Sequence, residues 1–381
     1  MNNLIRDFHL AIPQAQLDDL AQRLANTRWP EAETVADWGQ GSPLAAVRSL
    51  CDYWLNHYDW RRCEARLNGC GQHRTEIDGL DFHFLHIRSP HADALPMIMT
   101  HGWPGSVVEF LDVIEPLTNP TAHGGAAEDA FHLVIPSLPG YGFSAKPRHS
   151  GWNLERIAHA WIELMARLGY DRYVAQGGDW GSGVTAAIGA IMPPACRAVH
   201  LNMALIQPSA EDLAVELTPA EQKALADMKA YRRHESGYAK QQATRPQTLG
   251  YGLVDSPVGL AAWIYEKYHG WTDNGGAPED ALSRDQMLDN IMLHWLPATG
   301  ASAARLYWES MRDMVGKPMD MPVGVSIFPC ELFRPSRRWV EKVYPNLIYW
   351  SEVEKGGHFA AFEQPALFTD ELRKCFRLVR D

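Results

Sequence analysis

Apolar and polar positions along the chain fall into successive patterns. Residues 12–75 read as helices and loops rich in tryptophan. Pro13 can open a helix, and Leu17, Leu20, Ala21 and Leu24 after it follow a helical period. A second amphipathic stretch runs near Leu44 to Leu55. From about Thr75 the period shortens, and Leu80, Phe82, Phe84 and His86 alternate with their neighbours as a strand does.

Beyond this point short apolar strands alternate with helices. Pro96 to Thr100 predicts a strand running into His101-Gly102-Trp103-Pro104-Gly105. Phe131 to Ile135 predicts another, running into Pro139-Gly140-Tyr141-Gly142-Phe143-Ser144. Leu154, Ile157, Ala158, Trp161, Ile162, Met165 and Leu168 share one face of a helix, and Gly169 is placed to cap its C-terminus. Then come a strand (Arg172 to Gln176), a tight turn (Gly177 to Asp179), a small-residue helix (Gly181 to Ile191) and a strand (Arg197 to Met203). A mostly helical stretch of about a hundred residues follows before strand pattern returns at Pro322 to Phe328. The expected architecture is α/β: a mostly parallel sheet flanked by helices, with a helical lid over its carboxyl edge. We expect residues 1–75 to be an N-terminal extension wrapping lid and core, 76–204 the first part of the core, 205–305 the lid and 306–381 the second part of the core.

Composition narrows the function classes. The 381 residues carry 46 acidic and 35 basic side chains, a net charge of −11 that repels phosphate backbones and anionic lipid. Nucleic acid is therefore not expected as a partner. The N-terminal stretch holds Arg6, Asp7 and His9 where a signal peptide needs an apolar run, and no segment approaches a membrane span. Six scattered cysteines without a CxxC pair suit a reducing compartment. Together these features predict a soluble, cytoplasmic protein. No HExxH or clustered His/Cys pattern points to a metal, and nothing calls for a cofactor. Assembly as a homo-oligomer stays open.

The chemistry centres on Gly177-Gly178-Asp179-Trp180-Gly181, which has the small-x-nucleophile-x-small spacing of a nucleophile elbow between strand and helix. No G-x-S-x-G occurs in the chain. Taken alone, Asp179 can also be read as a helix cap. The order of the other candidates changes that. Glu331 follows the strand ending at Phe328, and His358 follows a later one, in Gly356-Gly357-His358-Phe359. Nucleophile, acid and histidine in this order, with both later residues on loops at strand ends, is the α/β-hydrolase arrangement. A carboxylate needs no base to become a nucleophile. On an ester it would give an anhydride, but on an sp³ carbon bearing a leaving group it gives an alkyl ester. His358, oriented by Glu331, can activate water to cleave that ester. The oxyanion so formed needs backbone donors, for which the N–H groups of Trp103 and Trp180 are placed. His101 is read as a structural hydrogen-bonding residue of its loop. Epoxides and alkyl halides both fit this chemistry.

The chain resembles epoxide hydrolases of the microsomal type, which carry an N-terminal extension domain. The resemblance runs through FHLAIPQAQLDDLAQRLANTRWP, HGWPGSVVEF, PSLPGYGFS, GGDWGS, DSPVGLAAWIYEKY and GGHFAAFEQP. It implies Asp179 as nucleophile, Glu331 as charge-relay acid and His358 as base. It also implies two lid tyrosines that hydrogen-bond the epoxide oxygen: Tyr238 in Glu235-Ser236-Gly237-Tyr238 and Tyr307 in the segment Ser302 to Tyr307. An alkoxide is a poor leaving group and needs such a donor. Tyr231, Tyr251 and Tyr265 are read as packing residues. Membrane-bound members have an N-terminal anchor, whereas here the extension starts at once, so no membrane association is expected. The tryptophan-rich segments flanking the motifs point to an apolar substrate.

Two other readings compete. A haloalkane dehalogenase would share the Asp–His–acid set and a tryptophan after the nucleophile. Its early loop offers the halide an asparagine where this chain has Trp103, and a leaving halide needs no paired tyrosines. Dinucleotide binding is mimicked by Gly181-Ser182-Gly183 and by Gly140-Tyr141-Gly142. Pro147 blocks the helix the second would need, and no acidic residue ends the strand after the first.

Overall fold

The computed structural model describes residues 4–312 and 316–380. Among the described residues nine strands form one sheet in the order β1-β2-β3-β5-β4-β6-β7-β8-β9. They are β1 (Arg6–Asp7), β2 (Gln72–Ile77), β3 (Leu80–Ile87), β4 (Leu95–Thr100), β5 (Phe131–Pro136), β6 (Tyr173–Gly177), β7 (Cys196–Leu201), β8 (Val323–Ile327) and β9 (Leu347–Glu352). From β5 to β9 every pairing is parallel, while β1, β2 and β3 add on antiparallel at one edge. Strands of this interior are buried on both faces, and Phe131–Pro136 and Val323–Ile327 accordingly have no exposed polar face.

Three helices, α1 (Gln14–Ala25), α2 (Leu44–Asn56) and α3 (Trp60–Asn68), precede β2. Strand β2 begins at Gln72, inside the segment expected to be extension, and β1 ties the far N-terminus to it. A two-residue strand carries no period, so β1 leaves no trace in the sequence pattern. Helix α4 (Leu111–Thr118) follows β4, and α5 (Leu154–Arg167) precedes β6. The apolar face of α5 buries Leu154, Ile157, Ala158, Trp161, Leu164 and Met165, each such large side chain contributing about 1.5–3 kcal/mol. Asn153 caps its N-terminus through the Arg156 N–H at 3.0 Å. Its C-terminus closes as expected at Gly169, whose φ of 79° suits glycine. The Gly169 and Tyr170 amides bond the Ala166 and Met165 carbonyls at 3.0 Å, a Schellman motif.

Helix α6 (Trp180–Ile191) begins directly after Asp179, one residue earlier than the sequence pattern indicates. After β7 come α7 (Ala210–Leu213), α8 (Pro219–Ala230), a π-helical turn (Tyr231–Glu235), α9 (Gly237–Thr244), α10 (Pro246–Asp255), α11 (Pro257–Trp271), α12 (Arg284–Trp295) and α13 (Gly300–Ser310). The helical insertion thus runs to Ser310, past the expected end at residue 305. The N-terminal helices pack on this insertion. Arg62 binds both oxygens of Asp289 at 2.8 and 2.9 Å, the Tyr58 hydroxyl donates to Asp289 at 2.7 Å, and Tyr53 donates to Asp285 at 3.0 Å. Helices α14 (Arg337–Val343), α15 (Ala360–Glu363) and α16 (Pro365–Arg377) complete the core. None of the six cysteines is bridged. Among the described residues no helix is long and apolar enough to cross a membrane.

Candidate active site

Strands β4, β6, β8 and β9 run parallel, so the loops that follow them emerge at one edge of the sheet. This edge is where open α/β sheets place their sites. Asp179 follows β6 with φ 49° and ψ −126°, a conformation rare for a residue with a side chain. The turn raises its carboxylate against the loop after β4. A Cβ on Gly102 would lie 2.2 Å from Asp179 Oδ1, so only glycine admits this approach. There the Trp103 N–H donates to Oδ1 at 2.7 Å. The Trp180 amide belongs to the first turn of α6, whose N–H groups have no carbonyl within their own helix.

His358 stands on the loop after β9, its N–H bonded to the Trp271 carbonyl at 2.9 Å. Its Nδ1 lies 2.8 Å from Glu331 Oε1 and its Nε2 lies 3.3 Å from Asp179 Oδ2. Nδ1 therefore carries the hydrogen given to Glu331, and Nε2 faces Asp179. The two loops are locked in register by a bridge between Cys330 and Gly357, the residues next to Glu331 and His358. All three side chains are buried. Burial works against a charged imidazole, but the Glu331 charge and the contact with Asp179 outweigh it and hold the His358 pKa well above its usual value.

The lid closes an aromatic ceiling over this pair. The Tyr238 ring stacks on Trp103 at 5.0 Å and meets Tyr307 edge-on at 5.8 Å. Tyr307 also stands edge-on to Trp103 at 5.7 Å and to Trp180 at 4.7 Å. Trp271 packs between Tyr238 at 5.1 Å and His358 at 4.9 Å. Burial, reinforced by neighbouring phenols and Asp179, pushes both tyrosine hydroxyls well above their usual pKa. They stay neutral and keep a proton to donate.

Comparison with known proteins agrees with this geometry. Residues 5–110 match the family described as epoxide hydrolase N terminus, and residues 96–239 match the alpha/beta hydrolase fold. A Stigmatella aurantiaca protein named "Putative epoxide hydrolase" is 60% identical over 99% of this chain and 86% of its own length. Epoxide hydrolase 1 of Sus scrofa is 35% identical over 98% of this chain and 89% of its own. The chain belongs to the epoxide hydrolase family. The structure of Aspergillus niger epoxide hydrolase superposes with a TM-score of 0.87 at 34% identity, covering 99% of this chain and 97% of the other.

Within this family member the residues singled out in the sequence, Asp179, His358, Glu331, Tyr238, Tyr307, Trp103 and Trp180, meet at one place. His101 lies beside them with its ring used by the backbone: Nδ1 is 2.9 Å from the Gly102 carbonyl, and the Leu138 N–H donates to Nε2 at 3.2 Å. Tyr231 and Glu363 are among the residues that the sequence pattern does not mark. Tyr231, expected only to pack, sits in the π-helical turn with its hydroxyl 2.9 Å from that of Tyr238. Such turns cluster at functional sites, but nothing in the sequence marks one. Glu363 accepts from the amides of Asp273 at 2.7 Å, Phe359 at 3.0 Å and Gly357 at 3.1 Å, gripping the His358 loop on both sides. Burial raises its pKa to about 7 despite these amides. Glu363→Ala leaves three amides without their acceptor and should cost about 2–4 kcal/mol of stability, read as a lower urea midpoint at unchanged slope. A loss below about 0.5 kcal/mol would show that the clamp is idle.

Proposed function

We propose that this chain hydrolyses apolar epoxides to vicinal diols through an alkyl ester on Asp179. The observation that carries the reading is two neutral tyrosines, Tyr238 and Tyr307, converging with Trp103 over the carboxylate of Asp179. Asp179 Oδ2 attacks an epoxide carbon, the C–O bond of the ring breaks, and a phenolic proton goes to the departing oxygen. Ester formation removes the Asp179 charge, one of the influences that hold the His358 pKa up. The imidazolium then loses its proton and the phenolate regains one, so the neutral imidazole, steadied by Glu331, can take a proton from water as the water attacks the Asp179 carbonyl. The developing oxyanion forms at Oδ1, where the Trp103 N–H already points, with the Trp180 N–H as second donor. Collapse releases the diol, with the His358 proton going to its oxygen.

An alkyl halide would need no proton at its leaving group, and the paired tyrosines then have no task. The aromatic ceiling supports an apolar substrate, with water as the second reactant. We read the helices before β2 as an extension over core and lid, the helical insertion after β7 as the lid, and the sheet with its remaining helices as the hydrolase core. We place the enzyme in the cytoplasm, in detoxification or secondary metabolism.

Single turnover in ¹⁸O-labelled water with enzyme in excess tests the mechanism. The first diol should carry an unlabelled new hydroxyl, because its oxygen comes from Asp179, and the label should appear in the Asp179 carboxylate. Label in the first diol would mean direct attack by water.

A further inference from the structure

Beside Asp179 lies a second space that the lid does not reach. It is a cavity of ≈ 20 Å³, lined among others by Trp103, Glu109, Asp179, Asn202 and His358. Neither Tyr238 nor Tyr307 borders it, so it is separate from the ceiling where an epoxide oxygen would sit. A space of this size holds about one water molecule, and a held water needs two to four polar partners. The lining supplies them.

Glu109 enters this space in an unusual way. It comes from an apolar run, Val107–Phe110, and its side chain folds back into the notch left by Gly105. A Cβ on Gly105 would lie 1.3 Å from Glu109 Oε1, so any other residue there would evict the carboxylate. On the far side, Gln176 Nε2 donates to Asn202 Oδ1 at 2.9 Å, which leaves the Asn202 NH₂ as a donor. His358 Nε2 and the Asp179 carboxyl complete the ring of polar groups.

We propose that Glu109, with Asn202, positions the water that hydrolyses the ester on Asp179. The inference rests on the reading of Asp179 as the nucleophile. The water accepts from the Asn202 NH₂, donates one hydrogen to a Glu109 oxygen and gives the other to His358 Nε2. Its remaining lone pair forms the new C–O bond at Asp179 Cγ, and the Cγ–O bond to the alkyl group breaks afterwards. Either protonation state of Glu109 offers an acceptor oxygen. Its pKa is raised to about 8, chiefly by burial, with the Asp179 charge adding to this and His358 opposing it. Glu109 is thus a positioning residue for the second half-reaction only.

The test uses styrene oxide as probe, with rapid quenching and intact-mass detection of the ester. In Glu109→Gln and Glu109→Ala the ester should form at the wild-type rate and decay about 10- to 100-fold more slowly, the scale expected when a reactant loses its positioning. Steady-state kcat should fall and KM should fall with it, leaving kcat/KM unchanged. The Gln variant, which keeps an acceptor oxygen, should be closer to wild type than Ala. A merely structural role would lower kcat/KM instead, and that result, or unchanged ester decay, overturns the assignment. Asn202→Leu gives an independent reading and should show the same split; wild-type ester decay in this variant also overturns it. His358→Gln run in parallel separates the two levels: ester trapped there with normal decay in the Glu109 variants removes Glu109 alone. No ester in His358→Gln removes the covalent mechanism and this inference together.

Discussion

His358→Gln should leave the enzyme able to open one epoxide and unable to release the product. The alkyl ester on Asp179 should then persist as a mass adduct on the intact protein, equal to the mass of the epoxide. The size of the effect follows from what is removed. Deleting a positioned general base typically costs 10²–10⁴ in rate, and here the base is buried and has one carboxylate, Glu331, dedicated to holding it 2.8 Å away. We expect turnover to fall on the order of 10³–10⁴, about 4–5.5 kcal/mol of barrier. Gln is close to His in size and fills its place, so the loss reports proton transfer more than collapse of the loop. The pH dependence has a definite sign. In the free enzyme the charges of Glu331 and Asp179 keep the imidazole protonated to well above its usual range. Ester formation deletes the Asp179 contribution, so the base titrates lower in the intermediate, and ester decay should rise with pH through that lower value. Rapid diol formation by His358→Gln with no adduct at any time would exclude His358 as the base.

Much of this site can be read in one dimension because it is built from strand ends. A parallel sheet places the residue after each strand on one edge, so the order Asp179, Glu331, His358 translates directly into proximity. The fold class follows from the same rhythm of short apolar runs and amphipathic helices. What does not translate is any group whose role depends on a partner far away in the chain. Glu363 has the sequence context of an exposed helical acid, yet it grips amides of Gly357 and Phe359 and of Asp273, which lies ninety residues earlier. Glu109 sits in an apolar run and is explained only by the notch at Gly105. Tyr231 differs from other lid tyrosines only because a π-helical turn aims it at Tyr238. The tyrosine pair itself was legible through resemblance to a family, not through spacing, since Tyr238 and Tyr307 are sixty-nine residues apart on different helices.

Replacing both Tyr238 and Tyr307 by Phe should abolish ester formation. The departing oxygen of an epoxide leaves as an alkoxide unless a proton meets it, and burial keeps both phenols protonated far beyond neutral pH. Phe retains both rings and so the stacking on Trp103 and Trp180. The main structural loss is the partner of the Tyr231 hydroxyl, about 1 kcal/mol. The double variant should therefore remain folded with nearly unchanged thermal stability. Either single change should slow alkylation by about 10- to 100-fold, because the remaining phenol still donates, and the double change by on the order of 10⁴ or more. The measurement belongs in the His358→Gln background, where ester accumulates without being drained, so that its appearance reports the first half-reaction alone. Ester forming at the parent rate in a folded double variant would mean that the proton comes from elsewhere. The tyrosines would then be packing residues, and the preference for epoxide over halide would lose its physical basis in this site.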